Sequence, residues 1–285
     1  MGHIKKFHPI GTWLIFILGD KLETNFQIPL EKIFWHIAYL SGSPHVGSAL
    51  SCTDIWVTLY FDILKLEDYE NRDLFLLSKA HSAMALYSTM YEKGFLTKEE
   101  LEGYYQNNGT LPAHTDKNTN PYIEISAGSL GHGLPMALGM AHSLKLKKSD
   151  RKVFVLMGDG ESQEGSVWEA AMLAPHLNLD NLTVFIDRNN LQGYGRASDI
   201  LSYEPIDDKF KAFNWEVLRV DGHNHNAIKE AVEFKTDKPK MIICDTTKGK
   251  DVSFMEDKLI WHYYVVTDEI KLEALQELED KFNEK

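Results

Sequence analysis

Two stretches of the chain carry residue types suited to holding a cation. The apolar run Val153-Phe154-Val155-Leu156-Met157 leads directly into Gly158-Asp159-Gly160, and a second run over 182–186 leads into Asp187-Arg188-Asn189-Asn190. The paired glycines let the backbone turn sharply and approach a ligand closely. The carboxylate between them suits a hard cation better than a bare phosphate. The interval 161–188 has room for one crossover helix and a returning strand, which would bring Asp159 and Asn189 to the ends of adjacent parallel strands. A carboxylate and an amide oxygen there can share one Mg²⁺ or Ca²⁺, which keeps ligand positions for phosphate oxygens. Gly-Asp-Gly alone is also an ordinary turn. A dinucleotide loop needs G-x-G-x-x-G opening a helix, and Gly158-Asp159-Gly160-Glu161-Ser162-Gln163 lacks the third glycine, which argues against NAD.

The elements that must position these residues alternate. Helical patterns are expected over 29–42, 53–64, 80–93, 135–147, 166–176 and 226–234. Short apolar strands are expected at 74–78, 153–157, 182–187, 216–220 and 241–245. An amphipathic helix over 267–285 would carry Ile270, Ala274, Leu278 and Phe282 on one face. Apolar strands alternating with helices mean βαβ units and an α/β fold, a parallel sheet with helices on both faces. In such sheets ligands bind beyond the carboxyl ends of the strands, where both acidic turns lie.

Composition narrows the function classes. The chain has 285 residues, 44% hydrophobic and 25% charged, as expected of a globular protein rather than a disordered one. Its formal charge of −12 argues against a nucleic-acid partner, which needs a basic face. The two cysteines, Cys52 and Cys244, form no spaced pair, so neither a disulfide framework nor a thiolate zinc site is expected, and a reducing cytoplasm fits. The run from Ile10 to Gly19 is about half the length of a membrane span. Lys5 and Lys6 precede it as in a signal peptide, but no small-residue cleavage site follows. It reads as part of an N-terminal extension, residues 1–25, and no membrane partner is expected. No repeat or linker divides the rest, so residues 26–285 read as one domain.

The string Gly158-Asp159-Gly160-Glu161-Ser162-Gln163-Glu164-Gly165-Ser166-Val167-Trp168-Glu169-Ala170-Ala171, followed by Asn189-Asn190, resembles the thiamine diphosphate fingerprint in its transketolase version. The resemblance implies the thiamine-diphosphate-binding fold. It implies that Asp159, Asn189 and the carbonyl of Leu191 bind the metal, that Gly158 and Gly160 lie on the diphosphate, and that Glu164 sits at a subunit interface. Four further strings match in order. Ser43-Pro44-His45-Val46-Gly47-Ser48-Ala49-Leu50 resembles the family's Ser-Gly-His-x-Gly-Gly-Ser-Leu, Ser78-Lys79-Ala80-His81 its Ser-Lys-Gly-His, and Pro112-Ala113-His114 its Pro-Gly-His. Lys248-Gly249-Lys250-Asp251-Val252-Ser253-Phe254-Met255-Glu256, with Trp261-His262, resembles its Lys-Gly-x-Gly-Val-Ser-x-Met-Glu and Trp-His. By this resemblance His45, His81, His114 and His262 bind sugar hydroxyls and move protons, with His81 also near the diphosphate. Gly128, Ser129 and Leu130, in a Gly-x-Leu-Gly match, support the cofactor's aminopyrimidine edge; the alternative is an ordinary helix start.

The implied reaction moves a two-carbon ketol unit from a ketose or its phosphate to an aldose. Alkoxides form and collapse along the way, which calls for acids and bases near neutrality. Departures cluster at the reacting end. Pro44 stiffens the loop before the first histidine, and His132 stands where glutamine is common. Leu191-Gln192-Gly193-Tyr194-Gly195 replaces Ile/Leu-x-Ile-Asp-Gly, and Tyr263 follows Trp261-His262 where glycine is usual. These changes point to an unusual sugar, such as one made for glycans or secondary metabolites. Transketolases also carry a pyrimidine domain beyond this stretch, so the resemblance implies an N-terminal subunit of a split transketolase. It would pair with a separate C-terminal subunit in an α₂β₂ assembly. The competing readings are a non-catalytic cofactor-binding scaffold and a 2-oxoacid dehydrogenase α subunit.

Overall fold

The computed structural model describes residue 36 and residues 42–283. The N-terminal extension, its apolar run and nearly all of the helix expected over 29–42 lie outside the described residues. Five strands form one parallel sheet: β1 (Leu74–Leu77), β2 (Val153–Gly158), β3 (Leu182–Arg188), β4 (Glu216–Asp221) and β5 (Lys240–Asp245), in the order β1-β2-β3-β5-β4. Side chains alternate across the pleat and sort into two cores. Phe75, Leu77, Phe154, Leu156, Phe185 and Ile242 face one side. Leu76, Val153, Val155, Met157, Val184, Ile186 and Ile243 face the other. Because both faces are covered, the strands read as unbroken apolar runs rather than as alternation. β4 is the exception: it lies at the sheet edge and is only partly buried.

On the first face pack α1 (Val46–Ser51), α2 (Thr53–Thr58, continued as a π turn over Leu59–Ile63), α3 (Ala83–Glu92), α6 (His225–Glu233) and α7 (Asp268–Asn283). On the second pack α4 (Gly133–Leu146) and α5 (Gly165–His176), with a short helix at Ile206–Ala212 that no strong sequence period announced. α7 buries Ala274, Leu275 and Leu278, with Ile270 partly buried beside them, so Leu275 joins the expected apolar row. The side chain of Phe282 lies outside the described residues. Among the described residues, no helix is long and apolar enough to cross a membrane. Gly133 opens α4 against β1: its N–H donates to Ser78 Oγ at 3.1 Å, and a Cβ there would collide with Ser78. That contact ties the α4 start to the end of β1, at the carboxyl edge of the sheet.

Candidate active site

Gly158, the last residue of β2, is paired with Asp187 of β3, so Asp159 and Asn189 leave neighbouring strands at the carboxyl edge. Two bonds join their loops. Asp159 Oδ1 accepts from the Gly160 N–H at 2.7 Å, and Oδ2 accepts from the Asn190 N–H at 2.5 Å. Burial, with Asp187 nearby, pushes the Asp159 carboxyl up to about 6. Asn189 donates its amide to Asp187 Oδ2 at 3.1 Å, while its Oδ1 accepts from the Leu191 N–H at 3.1 Å. The Leu191 carbonyl accepts from Lys248 Nζ at 3.3 Å. The three expected ligand residues therefore belong to one hydrogen-bonded unit. Among the described residues no cluster of three or more His, Cys, Asp and Glu could hold a metal. The expected set of one carboxylate, one amide and one peptide carbonyl is not such a cluster.

The four matched histidines converge from four separate segments. His45 stands 5.3 Å from His81, 5.9 Å from His114 and 5.1 Å from His262, and His81 stands 5.6 Å from His262, between ring centroids. His45 has φ +75, and its N–H donates to the His262 carbonyl at 3.0 Å, which locks two of the segments together. Lys248 Nζ donates to His262 Nδ1 at 3.0 Å, which leaves the ring proton on Nε2. Burial, then His114 and Lys248, lowers His45 to about 4; burial, then Lys248 and His45, lowers His262 to about 2. Burial also lowers His81 and His114, with Lys79 adding to the effect at His81. The sequence called for groups near neutrality. Burial, with two lysines adding to it at His45, His81 and His262, holds the rings lower, so at pH 7 they stand as neutral donors and acceptors.

Residues 37–272 match the family described as transketolase, thiamine diphosphate binding domain. The chain belongs to the transketolase family. It is 39% identical over 258 residues to an apulose-4-phosphate transketolase subunit of Phocaeicola vulgatus, covering 88% of this chain and 92% of that one. It is also 39% identical over 245 residues to a 6-deoxy-6-sulfo-D-fructose transketolase subunit of a Clostridium species, covering 84% and 89%. Among solved structures, transketolase from Campylobacter jejuni superposes with a TM-score of 0.81 at 29% identity. There the match covers 89% of this chain but 42% of that one. Against full-length transketolases the chain thus spans less than half their length.

The residues present fit a diphosphate and its cation. Gln192 lies over Gly160, where an added Cβ would come within 2.8 Å of its Cδ, and its buried Nε2 has no hydrogen-bond partner. An unpaired donor above a Gly-Asp-Gly turn suits an anionic oxygen. Two buried lysines add positive charge. Lys79 is paired with Asp187, and Lys248 Nζ reaches Ser48 Oγ at 3.0 Å as well as His262 and Leu191. Burial and Lys79 lower Lys248 to about 8. Gly128 lies by His114, whose Cδ2 would be 3.9 Å from a Cβ there. Ser129, Leu130 and Glu164 are exposed.

Several residues here escaped the sequence reading. Asp187 is fully buried and accepts from Ser51 Oγ at 2.6 Å, from Thr246 Oγ1 and from Lys79. Glu161, also buried, accepts from the Gly131 N–H at 2.9 Å, the Gly158 N–H at 3.2 Å and Ser78 Oγ. It thereby binds the Gly-Asp-Gly turn, the 128–131 turn and the end of β1 together. Burial pushes its carboxyl up. The available signal was a lysine, Lys79, immediately after a buried strand, since lysine is rarely buried without a partner.

Proposed function

We propose that this chain is the N-terminal subunit of a thiamine diphosphate-dependent split transketolase. Asp159, Asn189 and the Leu191 carbonyl would hold Mg²⁺ or Ca²⁺, with Gly158, Gly160 and His81 along the diphosphate. Gly128, Ser129 and Leu130 would face the aminopyrimidine, and Glu164 the neighbouring subunit. When bound, thiamine diphosphate supplies a carbon nucleophile and an electron sink for the ketol unit. His45, His114 and His262 then orient sugar hydroxyls as neutral donors and acceptors and carry protons between them. The observation that carries this reading is Lys248: one ammonium bonds both His262 Nδ1 and the Leu191 carbonyl, so the histidine cluster and the cation loop form one site.

The rest of the reading follows from this assignment. Residues 26–285 form the diphosphate-binding domain, 1–25 an extension, and the partner is a pyrimidine-domain subunit in an α₂β₂ assembly in the cytoplasm. Transfer runs from a ketose or ketose phosphate to an aldose. Relatives of similar length whose names make them subunits support the partner, and their printed substrates, apulose 4-phosphate and 6-deoxy-6-sulfo-D-fructose, favour an unusual sugar. The reconstituted pair should transfer ketol units, while the purified chain binds thiamine diphosphate weakly and turns over nothing. Ketol transfer by the chain alone, or none by the pair, would refute the assignment.

A further inference from the structure

The turn after the cation loop is tightly closed. The Gln192 N–H donates to the Gly195 carbonyl at 2.9 Å, and Leu191 pairs with Arg196 in an antiparallel bridge. Arg196 then forks onto Asp257, with both N–O distances 2.6 Å. This clamp joins the turn to the segment that runs through Leu259–His262 into Tyr263. The Tyr263 ring lies across Gly193. A Cβ at 193 would stand 3.0 Å from Cζ and 3.1 Å from Cε2 of that ring, and closer still to the phenol oxygen. No side chain fits at 193 while Tyr263 holds this place. The same ring stands 4.6 Å from His262 and 5.9 Å from His45 between centroids. Two departures that look independent in the sequence are therefore in direct contact, and the space a side chain at 193 would need is the space that Tyr263 fills.

We propose that Gly193 and Tyr263 form an interlocked specificity element, in which the Tyr263 phenol walls the substrate channel beside His45 and His262 and reads a sugar hydroxyl near the reacting carbon. This rests on the transketolase reading of the site. The chemistry of the wall supports a hydroxylated rather than a phosphorylated part of the sugar. Arg196 is paired with Asp257 and Lys79 with Asp187, and the Lys248 ammonium is buried behind His262 on Ser48 and Leu191, so the groups around the phenol itself, His45 and His262, are neutral. Tyr263 is itself 54% exposed, and Tyr194, 84% exposed at the tip of the turn, lies beside its phenol; what burial there is, then Tyr194, pushes that phenol up.

The test uses the full chain reconstituted with its C-terminal subunit, and four variants: Tyr263→Phe, Tyr263→Gly, Gly193→Ile and the double Gly193→Ile/Tyr263→Gly. Tyr263→Phe should keep the thermal midpoint and the calorimetric affinity for thiamine diphosphate. It should lower kcat/KM for the preferred sugar by about 5–10-fold relative to an analogue lacking one hydroxyl, the worth of one neutral hydrogen bond. Gly193→Ile should lower the midpoint, and the double variant should recover it, since the bulk then has one owner. A sugar ratio unmoved by Tyr263→Phe in an active complex overturns the inference alone, as does a double variant no more stable than Gly193→Ile. A wild-type complex without ketol transfer overturns the transketolase reading and this inference with it.

Discussion

Replacing Lys79 with methionine separates two accounts of the proposed cation site: that its turns hold themselves, or that a buried charge network holds them. Asp187 is fully buried and Lys79 is 1% exposed, so neither charge has water to fall back on. Full burial pushes the Asp187 carboxyl up, yet Lys79, Ser51 and Thr246 together hold it below the usual range. In Lys79→Met the carboxylate keeps neutral donors from Ser51, Thr246 and Asn189 and loses its counter-charge. Leaving one buried ion unpaired costs about 3–5 kcal/mol. With a urea m-value of about 3 kcal/mol/M, the midpoint should fall by roughly 1–1.7 M. Unfolding followed by tryptophan fluorescence measures it. Ser51→Ala, which deletes one donor to the same carboxylate, should cost about 1.5–3 kcal/mol and provides a milder variant that folds.

The decisive comparison is Lys79→Met/Asp187→Asn. Removing both charges should return at least about 1–2 kcal/mol, because the uncompensated ion is gone and residues in one network couple by such amounts. Asn189 matters here, since its amide is held by Asp187 at 3.1 Å. An asparagine oxygen at 187 can still accept that amide, so cation affinity in the double variant should return together with stability. A midpoint shift under about 0.3 M for Lys79→Met, or costs that simply add in the double variant, would refute the network account.

Asp159→Ala should lower metal-dependent thiamine diphosphate affinity of the reconstituted complex by at least about 100-fold by calorimetry, since it removes a proposed ligand rather than an outer-shell partner; a change within threefold would exclude Asp159 as a ligand. The cation competes with a proton there, and with the carboxyl pushed up to about 6, affinity should fall about tenfold from pH 7 to pH 5 and level off above 7. In the cofactor-free chain the same group acts with the opposite sign: it binds protons more tightly folded than unfolded, so its contribution to stability grows as pH falls from about 6 toward 4. The lowered histidines do the reverse, losing stability as pH falls below their unfolded value, so chemical denaturation of His45→Asn should show a flatter acid limb than wild type. Gly131→Ala should destabilise by about 1–3 kcal/mol, because φ is +83 and the new Cβ would stand 2.6 Å from Glu164 Cβ, whereas Gly139→Ala, in open space on α4, should stabilise by about 0.5–1 kcal/mol; equal unfolding midpoints would refute both.

What could be read from the sequence follows from how local each signal is. Four of the five strands were legible because a parallel sheet covered on both faces needs unbroken apolar runs, each ending at a polar or glycine-rich turn, as at Gly158-Asp159-Gly160, whereas the edge strand β4, only partly buried, carries the weaker run Glu216–Val220. The loops carrying Asp159 and Asn189 were legible for a related reason: parallel neighbours bring successive carboxyl ends to one edge, so these two residues could be placed without knowing any side chain between them. The buried charges were not legible. Lys79 meets Asp187 across 108 positions of sequence, and Ser78 meets Glu161 across 83, so the meaning of each exists only after the sheet has formed. Four motif-borne histidines announced themselves because each sits in its own string. Gly193 and Tyr263 announced only two oddities. A missing side chain in one loop and a surplus one in another are unrelated facts until a contact makes each the reason for the other. That is why function shared between distant loops is the last thing a one-dimensional pattern yields, and why specificity here has to be sought in the contact between those loops rather than in either motif.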